Sequence, residues 1–346
     1  MESIARRSSL CSNPPLQETY KTLFEKSQQH SSADSHSGLA TGAAKTELPV
    51  IDLGPLVEGR ELGKVAECKR EIVKASEEWG FFQVVNHGIA SHVLEKVRME
   101  QEALFGRPFE EKKTCMEVAG GSYRWGASTA TFLSQLNWSE AFHIPISYLL
   151  TTSEASSKNH LRWMEEYAGK VTDLANKLIK ALAEELGRDS TFFNQNCNPS
   201  TSFLRLNKYP PCPATSMHGL VPHTDTDFLT VLHQDGVGGL QVKKDGEWIS
   251  VKPNPNALIV NIGDLFQAWS NNVCKSVEHR VVTNQQFERY SVAYFMCPFP
   301  ETVIKSEGKQ HQVYRRFSFR EYRDQVDEDV RRHGNKVGLA RFLASN

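Results

Sequence analysis

No stretch of this chain approaches the ~20 apolar residues that span a bilayer, and its first residues lack the apolar core of a secretory signal. Both absences point to a soluble protein that is not secreted and has no membrane partner. Charge of one sign is missing too, since 40 Lys and Arg face 41 Asp and Glu for a net charge of −1. Without a broad basic field, nucleic acid is not an expected partner. The seven cysteines are odd in number and scattered with no Cys-x-x-Cys pair. That excludes a disulfide framework and a zinc knuckle, and leaves reduced thiols of a cytoplasmic protein, with the nucleus as a second possible compartment. The glycine-rich run Asp235-Gly236-Val237-Gly238-Gly239 has no Lys-Ser/Thr after it and lies between two strand patterns. It reads as a turn, not a phosphate-binding loop.

What is present is a sparse set of chemically matched side chains. His223 and Asp225 stand at i and i+2, His279 follows far down the chain, and Arg289-Tyr290-Ser291 comes soon after. Alternate residues of a strand point the same way, so one short strand at 223–225 can present both an imidazole and a carboxylate. Two imidazoles and one carboxylate on one face of iron(II) leave adjacent positions open, as in non-haem oxygenases. Zinc competes for the same three ligands, and a carboxylate-binding Arg nearby favours iron. In one straight strand Arg289 would stand roughly 33 Å from His279, at ~3.3 Å per residue. The polar Thr283-Asn284-Gln285-Gln286 therefore predicts a hairpin that brings Arg289–Met296 back beside the His279 strand. Asp227 could replace Asp225 only if the register shifted.

Composition fits one large core or two coupled ones, with 39% hydrophobic and 23% charged residues in 346. Residues 1–46 are Ser-rich, mix Arg6 and Arg7 with Glu2 and Glu18, and read as a flexible leader. Helical patterns run from Lys64 to Trp79, from an N-cap at Ser91 to Gly106, and from Leu161 to a stop at Gly187. After Thr201 short strand patterns take over, with Asp245-Gly246 as a tight hairpin turn, and a charged helix returns from Ser318. The expected class is mixed α/β with a mainly β core, a double-stranded β-helix or jelly roll of the cupin type flanked by helices. In the strand Phe203–Tyr209, Arg205, Asn207 and Tyr209 share a face. Ala293 and Phe295 continue the face of Arg289 and Ser291 and make Phe295 an apolar wall. The segment from Tyr123-Arg124-Trp125-Gly126 to Phe142-His143 is rich in aromatics, and Tyr123 and Phe142 would suit a rigid hydrocarbon substrate.

These motifs, with Leu48-Pro49-Val50-Ile51-Asp52-Leu53, Trp79-Gly80-Phe81-Phe82-Gln83-Val84-Val85-Asn86-His87-Gly88 and Asn207-Lys208-Tyr209-Pro210-Pro211-Cys212, resemble the plant iron(II)/2-oxoglutarate-dependent dioxygenases. The resemblance runs from about Leu48 to about Pro298. It implies a leader at 1–46, an N-terminal helical and strand domain at 47–150, a scaffold helix at 151–200, a jelly-roll core at 201–300 and a helical tail at 301–346. It further implies Fe(II) on His223, Asp225 and His279, with 2-oxoglutarate as cosubstrate, ascorbate as reductant and dioxygen consumed. Arg289 and Ser291 would hold the far carboxylate of 2-oxoglutarate with help from Asn207 and Tyr209, and Arg205 would face the organic substrate. The Tyr123–His143 segment is similar to gibberellin 2-oxidases acting on twenty-carbon gibberellins, which implies hydroxylation at carbon 2 on the β face. Gibberellin 20- or 3-oxidases, flavonoid oxidases and a non-catalytic binding jelly roll share enough of these features to stand as alternatives.

Overall fold

A strand covered on both faces reads as an unbroken apolar run, and Leu258–Ile262 comes close to one, with all five residues buried. It lies inside a large sheet in a computed structural model that describes residues 16–30, 47–114, 121–127, 130, 135–150, 161–212, 217–306 and 311–344. Among these residues the strands of the two main sheets are β1 (Val50–Asp52), β2 (Phe81–Val85), β3 (Ser122–Trp125), β4 (Glu140–Pro145), β5 (Phe203–Tyr209) and β6 (His218–His223). They continue as β7 (Leu229–Gln234), β8 (Leu240–Lys244), β9 (Glu247–Ser250), β10 (Leu258–Ile262), β11 (His279–Val282) and β12 (Arg289–Met296). The large sheet has the order β1-β2-β10-β7-β12-β5-β4-β3, and the small one β6-β11-β8-β9. From β5 to β12 the chain alternates between the sheets except at the β8–β9 hairpin, which turns at Asp245 and Gly246 with φ of 51° and 89°. That alternation is the expected double-stranded β-helix.

Helices cover the outer face of the large sheet. Helix Arg162–Glu185 buries Met164, Ala168, Val171, Ala175, Leu178 and Leu182, a three-and-four spacing that lays one stripe on the sheet. Helices Leu62–Glu78 and Ser91–Phe105 pack on it in turn. Burying each large apolar side chain contributes about 1.5–3 kcal/mol, so this layer fixes the rigid wall behind the site. The space between the sheets is lined on one side by Phe81, Tyr209 and Ile259, and on the other by Leu240, Val242 and Val281. No helix among the described residues is long and apolar enough to cross a membrane.

Several local expectations are corrected. Ser91 is the first helical residue and does not cap; extended Ala90 precedes it, with no side-chain bond closing that end. Ser318 does cap the last long helix, Phe319–His333, by accepting from the Glu321 N–H. Strand β12 pairs with β5 and β7, not with the His279 strand, because the 283–288 turn carries the chain across to the facing sheet. The leader of 1–46 is not uniformly flexible: Leu16–His30 forms a helix whose Leu16 and Tyr20 are buried against the body. The rest of that leader, and residues 151–160 of the expected scaffold segment, lie outside the described residues.

Candidate functional site

The inner face of the large sheet is a grid of cross-strand neighbours whose side chains stand about 4.5–5.5 Å apart. Between β12 and β5 the pairs are Arg289–Tyr209, Ser291–Asn207, Ala293–Arg205 and Phe295–Phe203. On the other flank of β12, Gln234 lies beside Ser291 and Thr230 beside Phe295, and Thr230 pairs in turn with Asn261 of β10. From the facing small sheet His279 and His223 are themselves a pair. All of these residues except Gln234 line one cavity of about 280 Å³ between the sheets.

The three expected ligands converge there. His223 ends β6 and Asp225 stands just past it, in the loop rather than on the strand itself. Nε2 of His223 lies 3.6 Å from Asp225 Oδ1, and Nε2 of His279 lies 3.7 Å from the same oxygen. One ligand atom from each of the three falls within 4.8 Å of the others. Ligands roughly 2.1 Å from one ion stand about 3–4 Å apart, so the arrangement fits a single metal. Each ring is oriented from behind. Nδ1 of His223 bonds the Val221 carbonyl at 2.8 Å, and Nδ1 of His279 bonds the Val277 carbonyl at 3.1 Å. With the proton on Nδ1, each Nε2 offers its lone pair to the centre. Asp225 is oriented likewise, since Thr230 and Asn261 both donate to Oδ2 at 2.7 Å and leave Oδ1 toward the imidazoles.

Electrostatics agree with this division of labour. Burial raises the Asp225 carboxyl, but the two imidazoles and the Thr230 and Asn261 donors outweigh it and hold the group below the usual carboxylate range. Burial, then His279, lowers His223 below the ordinary imidazole value and favours the neutral ring. Asp227 lines the cavity outside the three-ligand group; burial and then the Asp225 charge push its carboxyl well above the ordinary carboxylate value, which disfavours it as a charged ligand.

Arg289 is the second centre. It is 2% exposed, donates through Nη2 to Gln234 Oε1 at 2.8 Å, and lies over the Tyr209 ring at 4.8 Å. Its Nε and Nη1 are buried without a partner. A buried guanidinium with two idle donors is costly unless an anion meets it, and a carboxylate matches that fork. Ser291 Oγ stands beside it on the same strand face, 3.5 Å from Asn207 Nδ2. Arg205 donates through Nε to Asn207 Oδ1 at 3.0 Å and also lines the cavity.

Phe295 stacks on Phe203, with centroids 4.8 Å apart and planes at 11°, as one apolar wall. Tyr123 and Phe142 are not in the cavity. Phe142 pairs with Leu206, whose side chain faces the helices, and Tyr123 pairs with Phe142. There Tyr123 donates to Glu140 Oε2 at 2.7 Å, next to the buried Lys112 ammonium at 2.5 Å. One residue along, His143 pairs with Arg205, stacks on Phe203 and does line the cavity. Sequence reading missed His143, Phe203, Gln234, Thr230 and Asn261. Thr230 and Asn261 carried a signal, as polar residues inside otherwise apolar strands.

A second cavity of about 780 Å³ adjoins the first, sharing His223 and Thr224 with it. Ala127, Ala130, Gln135, Asn137 and Val221 form part of its wall, and Val330, Gly334, Lys336 and Val337 another part.

Residues 200–298 match the model of the 2OG-Fe(II) oxygenase superfamily, and residues 48–166 match that of the non-haem dioxygenase in morphine synthesis N-terminal region. The chain is 50% identical over 337 residues to gibberellin 2-beta-dioxygenase 8 of Arabidopsis thaliana, covering 96% of this chain and 98% of that one. To gibberellin 20 oxidase 1-B of Triticum aestivum it is 35% identical over 290 residues, covering 80% and 78%. The crystal structure of JOX2 in complex with 2OG, Fe and JA superposes with a TM-score of 0.70 at 29% identity, covering 92% of this chain and 97% of that one.

Proposed function

The chain belongs to the 2OG-Fe(II) oxygenase superfamily, and from that premise we propose that it hydroxylates carbon 2 of a gibberellin on the β face, which would inactivate the hormone or its precursor. It is an oxidoreductase that uses iron(II) and 2-oxoglutarate, with ascorbate as a typical reductant. The reaction consumes dioxygen and 2-oxoglutarate and yields succinate, carbon dioxide and one new C–OH bond. Iron(II), when bound, supplies the dioxygen activation coupled to decarboxylation of 2-oxoglutarate that makes an unactivated C–H bond reactive.

The residues divide the remaining tasks. His223, Asp225 and His279 hold the metal, each oriented by a bond on its far side. Arg289 anchors the far carboxylate of 2-oxoglutarate through the two donors that have no protein partner, and Ser291 adds a hydroxyl. Tyr209 packs its ring under the guanidinium and Asn207 sits beside Ser291, so both confine that end of the cosubstrate. The inner cavity lies just below the ~300–1,000 Å³ of drug-sized ligand sites and suits a short diacid. The outer cavity, of about 780 Å³ and reaching His223, falls inside that range and is the place we assign to a twenty-carbon substrate. Arg205, with Phe295 and Phe203 beside it in the inner cavity, offers a cation to a substrate carboxylate that reaches in past His223.

The unpartnered Arg289 donors facing the same cavity as the three ligands carry the reaction class. The choice of gibberellin 2-oxidation rests on the higher identity and fuller coverage toward the 2-beta-dioxygenase than toward the 20 oxidase. Purified protein incubated with iron(II), ascorbate, 2-oxoglutarate and a panel of gibberellins should give 2β-hydroxylated products by mass spectrometry, with matching succinate. Oxidation at carbon 20 or carbon 3 would replace this substrate assignment. Absence of substrate-dependent succinate would mark a binding protein on the same fold.

A further inference from the structure

The wall of the outer cavity is held from outside by the helix Leu16–His30, which precedes the family-matched region beginning at residue 48. Leu16 and Tyr20 are buried in one apolar cluster with Leu136, Trp138, Cys212 and Met217. Phe24 meets Trp138 edge-on at 6.1 Å, and Tyr20 lies 5.8 Å from the Trp125 ring. The Tyr20 hydroxyl accepts the Ala127 N–H at 2.7 Å. Gly126 leaves room for that approach: its φ is +60°, and a Cβ there would fall 1.4 Å from the Tyr20 oxygen.

These contacts end on the cavity. Ala127 lines it, and Trp138 adjoins Asn137, which lines it as well. Asn137 Oδ1 accepts the Val221 N–H at 2.9 Å, while Trp138 N–H donates to the His218 carbonyl at 2.9 Å. Val221 in turn bonds the Nδ1 side of His223. A continuous set of contacts thus runs from Tyr20 to the strand that carries a metal ligand.

We propose that the N-terminal helix is a positioning element for the organic substrate, bracing the 125–127 and 136–138 segments so that the outer cavity keeps its shape. This rests on the outer cavity being the substrate site. The contacts described for the helix run to Trp125, Ala127, Leu136, Trp138, Cys212 and Met217, and not to Arg289, Ser291, Asn207 or Tyr209, so it is expected to act on one ligand and not the other.

The test compares Tyr20→Ala, Tyr20→Phe and the cavity-filling Ala130→Trp in the full chain. For each variant the readouts are the Michaelis constants toward a twenty-carbon gibberellin and toward the cosubstrate, Mn(II) affinity by calorimetry, and the thermal midpoint. Tyr20→Phe, which loses one hydrogen-bond acceptor, should raise the gibberellin Michaelis constant by roughly 3–10-fold. Tyr20→Ala should raise it further, with the cosubstrate constant and Mn(II) affinity held within about twofold. A gibberellin constant unchanged in both Tyr20 variants while Ala130→Trp raises it overturns the brace. Equal losses in all three constants also overturn it, since they mean general unfolding rather than positioning. An unchanged gibberellin constant in Ala130→Trp instead sinks the assignment of the outer cavity. If Tyr20→Ala does not fold, Tyr20→Phe decides.

Discussion

Asn261 donates to Oδ2 of Asp225 at 2.7 Å, from within a strand whose other four residues are apolar. Thr230 reaches the same oxygen, so the carboxylate turns only Oδ1 toward the two imidazoles. Partners behind a metal ligand set its orientation and basicity, and losing one typically costs about 10–100-fold in affinity. Asn261→Leu keeps the apolar packing and removes the donor. Mn(II) titration of this variant should show a metal dissociation constant raised by roughly that 10–100-fold factor. Wild-type affinity would mean that Thr230 alone suffices.

Arg289 has the opposite problem, with donors in search of an acceptor. Truncating a buried, hydrogen-bonded charge partner costs about 2–5 kcal/mol of binding, so Arg289→Ala should raise the Michaelis constant toward the cosubstrate by roughly 30-fold or more. The constant toward gibberellin should move much less. An unchanged 2-oxoglutarate requirement would remove Arg289 as the anchor.

The ligand triad, the Arg289–Ser291 face and the long helix were legible in the sequence because each follows from chemistry or periodicity within a short segment. His223 and Asp225 carry their chemistry whatever the strand's end, so placing Asp225 on the strand rather than in the loop did not mislead. Strand β6 leaves no clear strand pattern, because Gly219 and Pro222 interrupt it, and it tolerates them as an edge strand of the small sheet. His143, Gln234 and Asn261 join the site only through register between distant strands. Aromatic content suggests Phe142 for the pocket, but neighbouring strand residues point to opposite faces, and it is His143 that shares the face of Arg205. The Leu16–His30 helix owes its order to Trp138 and Met217, more than a hundred residues away in sequence.

Acid should destabilise the apo protein through buried neutral histidines. Burial, then the charges of Arg205 and Arg124, lowers His143 to about 3; burial, then His87, lowers His233 to about 4. Above the ordinary imidazole value of about 6.5 neither state binds the proton, so there is no penalty. Between there and about 4 the unfolded chain is protonated and the fold is not, so each group costs up to ~1.4 kcal/mol per pH unit. Thermal midpoints should fall steadily from pH 7 to pH 5. His143→Phe preserves stacking on Phe203 and should give a shallower slope. A slope equal to wild type would place the acid sensitivity elsewhere.

Lys336 ties the C-terminal segment to the ligand loop. Its ammonium lies 2.5 Å from Asp264 Oδ2 and donates to the Thr224 carbonyl, between His223 and Asp225, at 2.9 Å. Asp264 also accepts from the Tyr322 hydroxyl, and its backbone N–H donates to the Asp225 carbonyl. Removing one partner of a buried pair leaves the other charge uncompensated, at a cost of about 3–5 kcal/mol. Lys336→Met should lose that much in urea denaturation while retaining the apolar stem. Adding Asp264→Asn removes the stranded charge, so the double variant should be more stable than the sum of the single losses allows. Strict additivity would mean that Lys336 stabilises the loop through the Thr224 carbonyl and not through the ion pair.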